Sequence, residues 1–194
     1  MTRPIAVAIT GGIGAGKSEA LAAFRRHGAA TVSSDEIVHE LLRRDDVKAA
    51  VAERMGAGIV GPDGELDRGA MARIVFFDRE ALDWLEQLLH PLVSSEYLQW
   101  REQLGGLEHP PRVCVTEVPL LYEVGSETNF DKVVLVTAPS KLRRARSDAA
   151  VDEREARLLP DREKAQRADY VYSNVGTLEE LDDFVGSVMH DLSS

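Results

Sequence analysis

The stretch Gly11-Gly12-Ile13-Gly14-Ala15-Gly16-Lys17-Ser18 fits the pattern G-x-x-x-x-G-K-[ST] at every fixed position. A continuous apolar run at residues 5–9 precedes it and is typical of a buried parallel strand. Residues 18–26 follow and favour a helix. Strand, glycine loop and helix together predict a phosphate-binding loop. The alternative is a glycine-rich turn that binds no ligand.

The chemistry of such a loop is specific. Glycines let the backbone turn tightly and direct several N–H groups toward a polyphosphate. The N-terminus of the following helix adds partial positive charge and free N–H donors. Lys17 can reach the outer phosphates, and the Ser18 hydroxyl can ligate Mg²⁺. The loop therefore indicates a polyphosphate and Mg²⁺ as its ligands.

Composition narrows the class of protein. The chain has 194 residues, of which 44% are hydrophobic and 29% charged, as in an ordinary globular protein. Its formal net charge of -10 disfavours binding to nucleic acid or to acidic membranes. No apolar run approaches the ~20 residues that span a bilayer. Cys114 is the only cysteine, and we see no signal peptide, so we expect a cytoplasmic protein.

Strands and helices alternate along the chain. Further strands are predicted at residues 30–33, 112–118, 132–137 and 170–173, and the apolar stripe of a C-terminal helix follows. This order predicts an α/β fold with a parallel sheet. Residues 36–107 are too long for a simple crossover, so we expect a helical subdomain there. Within it, Pro91 predicts a kink or a restart in a long helix.

Three features could contribute chemistry, and each has a structural alternative. Asp35 follows the second strand; it could take a proton from an attacking hydroxyl or bind Mg²⁺ through water, or it could only stabilise a helix N-terminus. Glu117 ends a core strand and could assist a metal or bond a nearby loop. The basic run from Lys141 to Arg146 could contact phosphates or be a solvated helix face.

Motifs in order along nearly the whole chain give a resemblance to a known family. They are the loop from Thr10 to Ser18, Ser34-Asp35-Glu36-Ile37-Val38-His39-Glu40-Leu41, Gly64-Glu65-Leu66-Asp67-Arg68, Val75-Phe76, His90-Pro91, Val118-Pro119-Leu120-Leu121-Tyr122-Glu123 and Ala168-Asp169-Tyr170-Val171-Tyr172-Ser173-Asn174. The chain resembles the dephospho-coenzyme A kinases, a nucleoside-monophosphate-kinase-like branch of phosphate-loop proteins. The loop alone is common to many families, whereas the combination is highly specific.

The resemblance implies a phosphate-loop kinase fold with a parallel five-stranded core at residues 1–35, 108–140 and 168–194. It implies a helical acceptor-binding subdomain at 36–107 and a short lid at 141–167. Lys17 and Asp35 would be catalytic, with Asp35 as the base, and Ser18 would bind the metal. ATP would contact the residues of the loop together with Arg143, Arg146 and Asn174. The acceptor would contact Asp35, His39, Arg68, His90, Pro119, Leu120, Leu121 and Glu123.

The activity implied is transfer of the ATP γ-phosphoryl group to the ribose 3′-hydroxyl of dephospho-CoA, giving CoA and ADP, by a monomer or small homo-oligomer. Two rivals stay open: another small-molecule kinase on this fold, and a nucleotide-binding regulator with weakened catalysis. The chain departs from the family pattern at Ser33, Leu142 and Leu158, where Asp, Gln and Gln are usual. Few apolar residues follow the basic run, so residues 147–159 are expected to be mobile without nucleotide.

Overall fold

The fold is built on a five-stranded sheet. The computed structural model describes residues 3–146 and 158–194. The strands lie in the order β2-β3-β1-β4-β5, and every neighbouring pair is parallel. Their bounds are Ile5–Thr10 (β1), Ala30–Ser33 (β2), Val113–Glu117 (β3), Lys132–Thr137 (β4) and Tyr170–Ser173 (β5). The predicted α/β class and five-stranded parallel core are confirmed.

Helices connect the strands. They are Lys17–Arg26 (α1), Ser34–Leu41 (α2), Asp45–Met55 (α3), Arg68–Phe77 (α4), Arg79–Gly105 (α5), Ser140–Arg146 (α6), Asp161–Ala165 (α7) and Leu178–Ser193 (α8). Short 3₁₀ turns lie at Ala57–Ile59 and Ser126–Asn129. In the part of the chain described, no helix is long and apolar enough to cross a membrane.

The chain divides into two compact units, Met1–Ser33 with Arg101–Ser194 and Ser34–Trp100. The first unit contains the whole sheet. Alternate residues of its strands enter different clusters, as the twofold repeat of a strand requires. Val7 and Ile9 pack with α1 and α8 in one cluster, and Ala8 packs with Leu121 and Val133 in another.

The second unit is helical. Its buried apolar side chains include Val47 and Val51 of α3, Ile59, Met71 of α4 and Leu89 of α5. Asp67 caps α4 by accepting a hydrogen bond from the Ala70 N–H at 3.0 Å. The roles assigned to the acceptor-binding subdomain and the lid stay predictions.

One element differs from its prediction. Pro91 lies inside α5, which continues through it from Arg79 to Gly105, so the restart at His90-Pro91 is wrong, while the alternative, a kink, stays a prediction. A proline removes one hydrogen-bond donor, while the turns on both sides keep theirs, and a long helix can tolerate that loss. The expected mobility of residues 147–159 falls mostly outside the described residues and stays a prediction.

Candidate active site

The glycine loop connects the end of β1 to the start of α1. Gly16 precedes α1 with φ 100°, a left-handed conformation that favours glycine. Lys17 is the first residue of the helix and is buried, and its Nζ donates a hydrogen bond to the Gly12 carbonyl at 3.0 Å. The ammonium is thus held by the loop's own backbone, at the helix end where N–H donors lack intrahelical partners.

Two parts of the same unit pack closely against the loop. At Gly14, with φ +72°, an added Cβ would lie 2.6 Å from the carbonyl oxygen of Arg143 in α6. Any side chain at Gly14 would therefore displace α6. At Gly16, an added Cβ would lie 2.2 Å from Nδ2 of Asn174, so that position also needs glycine.

Asn174 stabilises the loop directly. Its side chain is buried, and Nδ2 donates a hydrogen bond to the Ala15 carbonyl at 2.8 Å. Its backbone N–H donates to the Thr137 carbonyl at 2.7 Å, which fixes it beside the end of β4. The structure therefore gives Asn174 a supporting role for the loop. Its predicted contact with ATP stays a prediction.

Ser18 and Glu117 meet at the carboxyl ends of the strands. The Ser18 hydroxyl donates a hydrogen bond to Glu117 Oε2 at 3.1 Å. Glu117 is level with Ile9 of β1 and with Ser33 of β2, so it lies at the edge where ligands bind in open α/β folds. Hydroxyl and carboxylate oxygens are the hard ligands that Mg²⁺ prefers, so this pair fits a magnesium ion. No cluster of three or more His, Cys, Asp or Glu side chains suited to a metal occurs among the described residues.

The arginines of α6 differ in their surroundings. The Arg143 side chain is 12% exposed, and its Nη1 lies 3.9 Å from Asp161 Oδ2 of α7. Arg144 and Arg146 are exposed. Because the Arg143 backbone packs on Gly14, α6 lies directly beside the phosphate loop. The predicted contacts of Arg143 and Arg146 with ATP stay predictions.

The turn after β3 carries the predicted acceptor residues of the sheet-containing unit. Pro119 is exposed and Leu120 half-buried, which is compatible with ligand contact. Leu121 is fully buried and its side chain packs in the core, and its predicted contact with the acceptor stays a prediction. Glu123 accepts a hydrogen bond from the Leu159 N–H at 3.0 Å, and its Oε1 lies 2.7 Å from Lys164 Nζ.

The other predicted acceptor residues belong to the helical unit. Asp35 lies in the first turn of α2 and is exposed, and His39 lies one turn later, half-buried. Arg68 is the first residue of α4, and His90 lies within α5; both are exposed. Asp35 follows the last residue of β2 by two positions, as the sequence predicts.

Sequence reasoning missed the contacts that hold the turn after β3. Lys164 is fully buried, although the polar residues around it in the sequence predict an exposed helix. The Arg167 guanidinium lies over the Tyr122 ring, 4.3 Å from its centroid. Burial raises the pKa of the Tyr122 hydroxyl. No local pattern identifies such pairs, because each partner lies far away along the chain.

A parallel sheet of order β2-β3-β1-β4-β5, with a lysine and a serine at the loop after β1, defines a phosphate-loop kinase. The shikimate kinase of Aquifex aeolicus shares this fold, with a TM-score of 0.52 and 15% identity over 97% of this chain and 96% of that one. The family model "Dephospho-CoA kinase" matches residues 5–180. The chain belongs to the dephospho-CoA kinase family.

Individual relatives support the same family. The dephospho-CoA kinase of Symbiobacterium thermophilum is 38% identical over 89% of this chain and 75% of the relative. That of Anaeromyxobacter dehalogenans is 37% identical over 96% of this chain and 91% of the relative. The crystal structure of TT1252 from Thermus thermophilus superposes with a TM-score of 0.74 and 35% identity over the full length of both chains. Membership of a kinase family implies ATP as co-substrate and a small molecule as acceptor.

Proposed function

We propose that this protein transfers the γ-phosphoryl group of ATP to the ribose 3′-hydroxyl of dephospho-CoA, giving CoA and ADP. The observation that carries the proposal is the phosphate loop, with Lys17 inside it and Ser18 bonded to Glu117, in a chain of this family. In the reaction, the acceptor oxygen forms a bond to the γ-phosphorus. The bond from that phosphorus to the β–γ bridging oxygen breaks, and ADP leaves.

The loop residues would bind and orient the polyphosphate. Backbone N–H groups from Gly11 to Ser18 donate hydrogen bonds to phosphate oxygens, aided by the N-terminus of α1. Lys17 exchanges its bond to the Gly12 carbonyl for the outer phosphates, where its charge offsets the charge that develops in the transition state. Arg143 and Arg146 add positive charge from α6, and Asn174 keeps the loop in shape.

Ser18 and Glu117 would hold Mg²⁺. When bound there, Mg²⁺ would neutralise part of the negative charge of the ATP phosphates. Glu117 orients the Ser18 hydroxyl through the 3.1 Å hydrogen bond between them. Changing Glu117 to Gln keeps a hydrogen-bond acceptor but removes the charge, so we expect the Mg²⁺ concentration for half-maximal rate to rise about tenfold. Titration of the rate with MgCl₂ measures this, and an unchanged titration curve would remove Glu117 from the metal site.

Asp35 would accept the proton of the acceptor hydroxyl. Its exposed carboxylate is available as a base, and it lies two residues after β2, where the family resemblance would place the base. By family resemblance, His39, Arg68 and His90 would also bind the acceptor. Pro119 and Leu120 would contact it from the turn after β3.

The direct test uses purified protein with ATP, Mg²⁺ and dephospho-CoA, and detects CoA by mass spectrometry. The expected result is CoA and ADP in equal amounts. Shikimate and nucleosides serve as control acceptors, because other small-molecule kinases share the fold. Phosphorylation of a control acceptor in preference to dephospho-CoA would overturn the proposal, as would ATP binding without transfer to any acceptor.

A further inference from the structure

A buried ion pair joins the turn after β3 to α7. Lys164 of α7 is fully buried, and its Nζ lies 2.7 Å from Glu123 Oε1. The same carboxylate oxygen accepts a hydrogen bond from the Leu159 N–H at 3.0 Å. A fully buried lysine is rare unless it is paired. None of the steps above uses Lys164.

Further contacts connect the same two segments. The Arg167 guanidinium lies over the ring of Tyr122, the residue before Glu123, and also pairs with Glu127. At the other end of α7, Asp161 lies 3.9 Å from Arg143 of α6, the helix that packs on the phosphate loop. The α7 segment therefore contacts both the turn after β3 and the neighbour of the phosphate loop.

A contribution to the stability of the fold does not by itself explain why Glu123 and Lys164 form a buried ion pair. Removing two charges from water costs free energy that their attraction often fails to offset, and apolar replacements of similar volume are often neutral or stabilising. A buried pair does impose one geometry on the two segments that carry it. Here one partner sits in the turn that follows Glu117, the acceptor of the Ser18 hydrogen bond.

We propose that Glu123 and Lys164 are a positioning pair that fixes the turn at residues 119–123 for the acceptor. This inference rests on the proposed function, in which Pro119 and Leu120 contact dephospho-CoA. It replaces the direct acceptor contact that family resemblance gives to Glu123. Glu123 acts through its bonds to Lys164 and Leu159, and only the turn that it holds touches substrate.

The test compares Lys164→Met, Glu123→Gln and the double variant. Gln keeps an oxygen for the Leu159 N–H, and the double variant leaves no buried charge without a partner. Each of the three is expected to lower kcat/KM for dephospho-CoA by about 10²-fold, the usual effect of a misplaced binding group. KM for ATP is expected to stay at the wild-type value. The double variant is expected to be no slower than either single variant, because the two residues work as one unit.

A matched control is Lys132→Met. This change removes the 2.8 Å ion pair between Lys132 and Asp169, which lies in the same unit. The Lys132 side chain is 43% exposed. The variant is expected to keep wild-type kinetics. A double variant with wild-type kcat/KM would show that the pair only fills space. Single-variant losses that multiply in the double variant would show that Glu123 touches the acceptor on its own.

Hydrogen exchange gives a readout that is independent of activity. Residues 118–127 are expected to exchange faster in the double variant than in the wild type or in Lys132→Met. Unchanged exchange in this segment would overturn the positioning role. The double variant also keeps the test valid if a single variant fails to fold. A wild-type protein that makes no CoA would overturn the proposed function alone, because exchange still reports on the pair.

Discussion

Lys17 shows how a single side chain can be held ready for a charged ligand. Its ammonium is buried and donates to the Gly12 carbonyl, a neutral group that phosphate oxygens can replace. Replacing Lys17 with Ala removes the positive charge that would offset the negative charge developing in the transition state. We therefore expect kcat/KM to fall by roughly 10³-fold. Steady-state kinetics with dephospho-CoA measure this, and circular dichroism checks that the fold is kept. Near-wild-type kcat/KM would exclude this loop as the active site.

Asp35 is a second residue whose proposed role a single substitution can test. Asn keeps the shape of the side chain but cannot take a proton, so Asp35→Asn should lower kcat by on the order of 10²–10⁴-fold. ATP affinity, measured by calorimetry, should change little, because Asp35 is assigned to the acceptor. Loss of Mg²⁺–ATP binding with kcat retained would instead make Asp35 a metal-site residue.

At the scale of the element, α6 combines packing with charge. Its backbone at Arg143 contacts Gly14, and the Arg143 guanidinium is near Asp161, whereas Arg146 is exposed. Residues three apart share one face of a helix, so Arg143 and Arg146 can contact the same ligand, while Arg144 lies on a different face. We expect Arg143→Ala with Arg146→Ala to lower kcat by about 10²-fold, and Arg144→Ala to change it much less.

Because Arg143 also has a structural contact, Arg146→Ala alone is the informative control. It should lower kcat without lowering the melting temperature. Equal kinetics for Arg146→Ala, Arg144→Ala and the wild type would make the basic run a solvated helix face, the alternative that the sequence left open.

The elements themselves were largely predictable. All five strands lie within two residues of their predicted bounds, because buried parallel strands are continuous apolar runs that turn residues interrupt. The predicted restart at Pro91 is wrong, because proline is a strong local signal while the continuation of α5 depends on the rest of the helix. Leu121 lies in a motif that the resemblance links to the acceptor, and the motif does not show that its side chain is buried in the core. Burial is a property of the assembled fold that a motif does not contain.

At the scale of the whole molecule, the contacts that sequence could not supply join distant residues. Lys164 with Glu123, the Arg143 carbonyl beside Gly14, and Asn174 with Ala15 each depend on strand order and packing. A charged residue in a polar stretch is normally solvated, and only the fold reveals the exception. The conformation of the loop was predictable because its spacing is local and fixed, whereas the Mg²⁺-binding role of Ser18 stays a prediction.

Asp182 gives a test of how charge contributes to the stability of the whole fold. It lies in α8, accepts a 2.9 Å hydrogen bond from Arg26 Nε at the end of α1, and lies 3.0 Å from His27 Nε2. Hydrogen bonds, first from Arg26 and then from His27, lower the pKa of Asp182 below its ordinary value. A carboxyl group with a lowered pKa in the folded state stabilises that state when it is ionised.

The lowered pKa of Asp182 determines how the free energy of unfolding depends on pH. The contribution of Asp182 is complete above its pKa in the unfolded chain, about 3.9, and is lost as pH falls through its lower folded-state pKa. Asp182→Asn should therefore reduce the free energy of unfolding by a small amount at pH 5, and the difference from wild type should shrink below about pH 4. Urea unfolding at pH 7, 5 and 3 measures it. Asp183→Asn, an exposed neighbour in α8, is the matched control and should show no such convergence. A wild-type advantage over Asp182→Asn that persists undiminished at pH 3 would mean that Asp182 stabilises the helix pair by shape, with no contribution from its charge.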